Sequence, residues 1–125
     1  MTAALNRVII FAHDVQLLKV FYCAHFGLTV TEETENEWVV LKTGGMELAL
    51  HRVGRQYAAV PPHQAETSNI KLVFTIDANI HRFREQLIAA GTTMRAATTF
   101  AGVNAIFCDG NDPEGNVFQL QQLLA

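Results

Sequence analysis

Cysteine is scarce in this sequence, with only Cys23 and Cys108 among 125 residues. The two are 85 positions apart and neither has a neighbouring cysteine, which excludes a dense disulfide framework and a CxxC zinc or redox motif. We expect both thiols to be reduced and packed against other side chains. Cys108 precedes Asp109, whose carboxylate disfavours a thiolate, and Cys23 lies within an apolar helix, so neither is a candidate nucleophile.

Charge is also sparse. Charged residues make up 17% of the chain, and nine basic residues against twelve acidic ones leave a net charge of −3. No cluster of lysine or arginine is present to neutralise a phosphate backbone, so we expect no nucleic-acid partner. Half of the residues are hydrophobic, which predicts a sizeable core and an apolar surface shared with a second copy in a homodimer.

Long hydrophobic runs and common catalytic motifs are missing as well. The apolar run at residues 8–12 has only five residues and lies between Arg7 and His13, too short for a signal peptide or a membrane span. We therefore expect a cytoplasmic protein with no membrane partner. Neither a GxxxxGK phosphate loop nor a GxSxG nucleophile elbow occurs, which excludes the common nucleotide-binding and hydrolase motifs.

The first half of the chain alternates between strand and helix signals. A run of β-branched and aromatic residues at 7–12 predicts a strand that is covered on both faces. Asp14 can cap a helix that ends at Gly27 and whose apolar face comprises Leu17, Leu18, Phe21, Tyr22 and Phe26. Three short strands are predicted to follow, at residues 28–31, 38–42 and 46–52. Residues 5–53 therefore form a predicted βαβββ module.

A connection and a second module follow. Residues 54–68 contain two consecutive prolines and no periodicity, so they are predicted to link two halves. The pattern then restarts over residues 69–125, where Asn79 caps a helix that ends at Gly91 and residues 112–116 form a turn. The strands predicted in this half are residues 70–76, 93–98, 103–108 and 116–122.

The two halves match at a single offset. Arg7 and Lys71, which each open a strand, are 64 positions apart, and so are the helix-ending Gly27 and Gly91. One βαβββ unit cannot bury a curved sheet by itself, whereas two units can enclose a cleft. We predict a single domain over residues 1–125, of the α+β class, in which two tandem βαβββ modules form curved mixed sheets around a cleft.

Four segments follow one another along the chain: HDV at residues 13–15, FYCAHFGL at 21–28, AAG at 89–91 and DPEGNVFQL at 112–120. In this order they resemble segments of the vicinal oxygen chelate superfamily, which includes glyoxalase I, bleomycin-resistance proteins, fosfomycin-resistance enzymes and extradiol dioxygenases. The similarity extends over nearly the whole chain. It implies the fold of this superfamily, which hosts both enzymes and non-catalytic drug binders.

The resemblance also implies four metal-ligand positions, near the start of each half's first strand and within each half's last strand. The matching residues are Arg7, Ala49, Lys71 and Gln119. Guanidinium and ammonium groups have no lone pair at neutral pH and repel a divalent cation, alanine has no donor, and glutamine is a weak one. We therefore expect no metal and no other cofactor.

Cations at these positions would attract an anionic or electron-rich ligand, or a carboxylate such as Glu47. The candidate ligand-binding residues are Arg7, Trp38, Glu47, His51, Lys71, Phe100 and Gln119. A purely structural interpretation also exists for them. Cations at strand starts pair with nearby acids, aromatic residues in strands pack in the core, and amides at sheet ends are satisfied locally.

The predicted function is metal-free binding of a small anionic or aromatic molecule, as in bleomycin-resistance proteins, with no catalytic residue assigned. One alternative is a metal-dependent lyase, transferase or dioxygenase. In that case Glu47 and His51, which share a strand face, would be joined by His13 or His63 as ligands. A third interpretation is a non-catalytic accessory or structural subunit whose cavity is filled by its own side chains.

Overall fold

The computed structural model describes residues 1–63 and 68–125. These divide into two compact units, Met1–Pro62 and His63–Ala125, whose boundary lies within the predicted connection 54–68. Residues 64–67 of that connection lie outside the described residues. The elements in chain order are β1 (Arg7–Ala12), α1 (Val15–Phe26), β2 (Thr29–Thr34), β3 (Trp38–Thr43), β4 (Met46–Arg52), a 3₁₀ turn (Arg55–Tyr57), β5 (Leu72–Thr75), α2 (Ile80–Ala89), β6 (Ala105–Asn111) and β7 (Val117–Leu123).

The first unit has the predicted βαβββ order. Its four strands form one sheet in the order β1-β4-β3-β2, with β1 parallel to β4 and the other pairs antiparallel. The carboxylate of Asp14 accepts the backbone N–H of Leu17 at 2.9 Å and starts α1, and Gly27 ends it with a φ of 67°, so both predicted caps are confirmed. Leu18 and Tyr22 are fully buried where α1 packs on the sheet, and each burial stabilises the unit by about 1.5–3 kcal/mol.

One face of this sheet is not covered by the helix. Strand β1 was expected to be covered on both faces, but Ile9 is 45% exposed and Phe11 is 62% exposed, whereas Ala12 is fully buried. Because side chains alternate along a strand, α1 covers only one set of them. Leu17 was also predicted to lie on the buried apolar face of α1. That prediction is wrong, because Leu17 is 45% exposed. The uncovered face carries the residues described in the next subsection.

The second unit contains a three-stranded sheet in the order β5-β7-β6, with β7 parallel to β5 and antiparallel to β6. Asn79 caps α2 by accepting the backbone N–H of Arg82 at 3.0 Å, as predicted. Gly91, whose φ is 94°, follows the last turn of the helix. Thr92 then donates its N–H to the carbonyl of Leu87 at 2.9 Å, which closes the helix end.

The strand predicted at residues 93–98 is wrong. The carbonyl of Arg95 accepts hydrogen bonds from the Arg84 side chain at 2.7 Å and from the thiol of Cys108 at 3.1 Å, instead of from a strand partner. A regular ladder is therefore interrupted in the middle of this segment. What forms instead are two isolated bridges to β6, which pair Met94 with Gly110 and Thr98 with Phe107.

The turn predicted at residues 112–116 is confirmed. The carboxylate of Asp112 is buried and accepts the backbone N–H groups of Glu114 and Asn116, each at 3.0 Å. Gly115 occupies the left-handed region at a φ of 90° and donates its N–H to the Asp112 carbonyl at 2.9 Å. This turn holds β6 and β7 in register.

No helix among the described residues has both the length and the apolar character needed to cross a membrane.

Candidate functional site

Four of the predicted ligand-binding residues lie on the uncovered face of the first sheet. In the strand register Arg7 is opposite Glu47, and Trp38 is opposite His51. Glu47, Ala49 and His51 are two positions apart along β4, so their side chains leave the same face. The structure therefore brings Arg7, Trp38, Glu47 and His51 onto one surface.

Contacts connect these four side chains in a row. The Arg7 guanidinium lies 3.2 Å (Nε) and 3.1 Å (Nη2) from Oε1 of Glu47. Its carbon lies 5.5 Å from the ring centroid of Trp38, within cation–π range. Trp38 in turn meets the His51 ring edge-on, with 5.5 Å between the centroids. Glu47 is thus the carboxylate that the sequence predicted beside Arg7, and it holds the guanidinium against the tryptophan.

A second group of polar side chains lies on the sheet of the second unit. Nζ of Lys71 lies 2.6 Å from Oδ2 of Asp109, and Nε2 of Gln119 donates to Oδ1 of the same carboxylate at 2.9 Å. Asp109 is directly opposite Gln119 in the β6–β7 register. The sequence reasoning considered Asp109 only as a neighbour of Cys108. The register of the β6–β7 hairpin could have identified Asp109, because it places this residue opposite Gln119, which was already a candidate.

Phe100 is not part of that group. Its ring packs against Phe107 with 5.5 Å between the centroids, and its side chain is 57% exposed.

The residues at the four positions implied by the superfamily do not fit a divalent metal. Arg7 and Lys71 are cations that are each paired with a carboxylate, and Ala49 offers only a methyl group. The amide nitrogen of Gln119 is directed at Asp109. A site for a hard or borderline divalent ion needs carboxylate or imidazole donors at these positions.

The alternative metal set is not assembled either. Within residues 1–63 and 68–125, no three His, Cys, Asp or Glu side chains converge closely enough to hold a metal ion. Nε2 of His13 forms a hydrogen bond with the carbonyl of Val60, and Glu47 is paired with Arg7. His63 belongs to the second unit.

The first unit also contains a cavity of about 860 Å³. The end of β4 and the residues after it form part of the cavity lining. Val53 continues the β1–β4 hydrogen bonding by donating its N–H to the carbonyl of Ala12 at 2.9 Å. The 3₁₀ turn then reverses the chain, with Tyr57 donating to the Gly54 carbonyl at 2.9 Å. The lining residues are Phe11, Glu37, His51, Arg52, Val53, Gly54, Arg55, Gln56, Tyr57 and Ala58.

Aromatic rings and charges meet in this cavity. The rings of Phe11 and His51 are 5.5 Å apart at an angle of 41°, and Tyr57 is 60% exposed. Arg52 forms an ion pair with Glu37 at 2.9 Å. The guanidinium of Arg55 has no hydrogen-bond or ion-pair partner within the described parts of the chain. Such a combination can hold a small molecule by ring contact and by a charge-assisted hydrogen bond.

Sequence reasoning selected only His51 among the lining residues. Phe11 was assigned to a covered strand and Arg52 to the end of the strand predicted at residues 46–52, whereas Arg55 and Tyr57 lie in the predicted connection 54–68.

The surroundings of both cysteines disfavour the nucleophilic thiolate form. Burial raises the pKa of the Cys108 thiol, with a smaller contribution from Asp109 in the same direction and an opposing one from Arg84. Burial also raises the pKa of Cys23, against the lowering effect of Lys19. Both cysteines are free thiols.

The sequence matches the family model described as a glyoxalase-like domain over residues 7–121. No curated protein sequence matches it significantly. Solved structures with a similar fold include a lactoylglutathione lyase from Agrobacterium tumefaciens, with a TM-score of 0.71 and 18% identity over 98% of this chain and 95% of that one.

Two further structures show the same likeness. A genomically encoded fosfomycin resistance protein from Listeria monocytogenes has a TM-score of 0.70 and 12% identity, over 98% of this chain and 93% of that one. A virulence protein from Salmonella typhimurium has a TM-score of 0.69 and 18% identity, over 99% of both chains. At these identities the likeness establishes the fold, and the site has to be judged from its own residues.

Proposed function

Because the chain belongs to the glyoxalase-like domain family, within the vicinal oxygen chelate superfamily, we propose that it binds a small molecule and does so without a divalent metal. The observation that carries this proposal is the cavity of the first unit, about 860 Å³ in volume. Exposed aromatic rings line it, together with the guanidinium of Arg55, which has no partner among residues 1–63 and 68–125. Small-molecule sites typically have this combination of apolar walls and a few polar anchors, within a volume of roughly 300–1,000 Å³.

The exposure of Phe11 supports this placement of the site. An aromatic ring left in water gives up a stabilisation of about 1.5–3 kcal/mol that burial would provide, and Phe11 is 62% exposed at the edge of a cavity. A ligand that covers the ring recovers part of that free energy on binding.

The metal-free part of the proposal is supported by donor chemistry. Arg7 and Lys71 stand at two of the superfamily's ligand positions and are each neutralised by a carboxylate of the protein. Residues of this kind cannot hold the Lewis-acidic metal ion that the superfamily resemblance implies at these positions. We therefore propose binding without turnover.

Thermal denaturation with a panel of small anions and aromatic compounds tests the proposal. A compound present at a hundred times its Kd adds about 2.7 kcal/mol of stability, which is readily measured. Binding should be lost in Phe11→Ser and retained in Phe100→Ser, a matched exposed phenylalanine of the second unit. If binding is retained in Phe11→Ser and lost in Phe100→Ser, the site lies in the second unit and the proposed placement is wrong.

Metal analysis of the purified protein distinguishes the enzymatic alternative. Stoichiometric nickel, zinc, manganese or iron that survives dialysis would refute the metal-free proposal and favour a lyase, transferase or dioxygenase. If the metal is absent and no compound shifts the transition, the accessory-subunit interpretation replaces small-molecule binding.

We also propose that the protein forms a homodimer. Ile9 and Val73, which are 64 positions apart, are 45% and 53% exposed on their sheets, and the chain has few charged residues. Light scattering of the purified protein gives the mass directly, and a monomer at micromolar concentration would refute this assembly.

A further inference from the structure

Among the residues that the structure describes, the charges that line the cavity leave one positive group without an ion-pair partner. Two arginines, Arg52 and Arg55, and one carboxylate, that of Glu37, reach its surface. Arg52 and Glu37 neutralise each other through the 2.9 Å ion pair. They are also tied through the backbone, because Arg52 donates its N–H to the Glu37 carbonyl at 3.0 Å. The positive charge that remains is on Arg55.

Arg55 has a defined position despite its exposure. It opens the 3₁₀ turn, and its carbonyl accepts the N–H of Ala58 at 3.2 Å. The guanidinium forms no hydrogen bond or ion pair within residues 1–63 and 68–125. It can therefore donate two parallel N–H groups to a carboxylate, sulfonate or phosphate without first breaking an internal ion pair.

Planar groups also line the cavity. The ring of His51 packs between Phe11, 5.5 Å away, and Trp38, also 5.5 Å away, so neighbours on both sides fix its plane. Phe11 and Tyr57 are both more than half exposed. The cavity volume of about 860 Å³ is larger than one six-membered ring requires.

We propose that the ligand of this cavity is a planar compound of two or more fused or linked aromatic rings that carries one anionic group. The rings lie against Phe11 and His51, and the anionic group receives hydrogen bonds from Arg55. This inference rests on the proposed function and specifies its ligand class. The sequence predicted that Arg7 and Lys71 bind the anionic group of the ligand, whereas this inference assigns that contact to Arg55.

Two fluorescent probes that differ only by the anionic group test the inference. 8-Anilinonaphthalene-1-sulfonate carries the sulfonate, and N-phenyl-1-naphthylamine has the same rings without it. Each is titrated into the folded protein, into Arg55→Gln and into Arg82→Gln. The Arg82 variant removes an equal charge from an exposed position on α2 and serves as the matched control. Near-ultraviolet circular dichroism and thermal melts verify that each variant is folded.

The sulfonate probe is expected to bind more tightly than the neutral probe. Arg55→Gln should weaken it by about threefold to tenfold, because the contact of the two guanidinium N–H groups with the sulfonate is lost and solvent weakens that contact, and it should leave the neutral probe unchanged. Arg82→Gln should affect neither probe.

The ligand class would be overturned if the two probes bound with equal affinity, both to the parent protein and to Arg55→Gln. If Phe11→Ser then abolished the binding of both probes, the proposed site would still stand. Failure of both probes to bind, or binding that is unaffected by Phe11→Ser, would overturn the ligand class and the proposed site together.

Discussion

The ammonium nitrogen of Lys71 lies 2.6 Å from Oδ2 of Asp109. Arg7, 64 positions earlier, is likewise paired with a carboxylate, that of Glu47. In each unit, the cation at the start of the first strand is therefore paired with an acid of the same sheet. Glu47 is on β4, next to β1, and Asp109 is on β6, which is separated from β5 by β7. The protein itself supplies the negative charge at the two positions where the superfamily resemblance implies metal ligands.

The substitution Asp109→Asn isolates the charge of the Lys71 pair. The amide oxygen of the introduced asparagine can still accept the hydrogen bond of Gln119, so only the ion pair is lost. Because the two side chains are 37% and 20% exposed, solvent weakens the pair, and we expect a loss of about 1 kcal/mol in the free energy of unfolding by urea. Glu85→Gln breaks a pair whose carboxylate is 69% exposed and should change the free energy by less than about 0.5 kcal/mol. Equal effects in both variants would contradict a structural role for Asp109.

Replacing Arg7 with Met tests whether this cation anchors the ligand. Arg7 does not line the cavity, so we expect less than about a threefold change in probe affinity, below the effect of losing one charge-assisted hydrogen bond. Its guanidinium does contact Trp38, the only tryptophan, and its loss should shift the tryptophan emission. Stability should fall by about 0.5–1 kcal/mol, the contribution of an exposed cation–π contact. A loss of affinity of about tenfold or more would restore Arg7 as the anchor.

Gly110 lies where the second unit has no room for a side chain. A Cβ atom added there would be 2.7 Å from Cζ of the buried Phe118 and would also overlap the sulfur of Met94. We expect Gly110→Ala to lower the free energy of unfolding by about 1–3 kcal/mol through overpacking. Gly45→Ala, in an open turn with no atom within 4 Å of the new Cβ, is the control and should be nearly neutral. A neutral Gly110→Ala would mean that β6 does not pack as described.

The two thiols should differ in reactivity. Cys108 is 1% exposed and its sulfur is hydrogen-bonded to the Arg95 carbonyl, whereas Cys23 is only partly buried. In the folded protein a thiol reagent should modify Cys23 first, and both cysteines should react at similar rates in denaturant. Faster modification of Cys108 in the folded protein would contradict its burial.

Alkaline pH provides a related test of Cys108. Burial raises its pKa above the ordinary value of 9.0, so the folded state favours the protonated thiol. That contribution to stability is complete below about pH 9 and is lost as the pH rises through the higher pKa of the folded state. The free energy of unfolding should therefore decline above about pH 9, and the decline should be smaller in Cys108→Ala. Identical pH profiles would contradict the raised pKa.

Local signals predicted the elements well. Helix caps depend on contacts within a few residues along the chain. The capping roles of Asp14, Gly27 and Asn79 could therefore be predicted from the sequence. The strand at residues 93–98 failed because the Arg95 carbonyl is taken by Arg84 and Cys108, and that competition is invisible to β propensity.

The candidate site was predicted only in part. The pairing of Arg7 with Glu47 could be anticipated from charge, since both positions were already selected. The cavity could not, because it requires Phe11 on β1 to meet the turn at Arg55–Tyr57, more than forty positions later. Such a meeting depends on the parallel β1–β4 pairing, which no local pattern specifies.

All four strands of the first sheet lie within residues 7–52. Protein domains fold as units, and N-terminal units begin while the ribosome is still adding residues. Every strand of this sheet therefore has its hydrogen-bonding partners already synthesised before the second half of the chain is complete. Strand β1, although it emerges first, has to wait for β4, 40 positions downstream at the Arg7–Glu47 contact, before it gains a hydrogen-bonding neighbour.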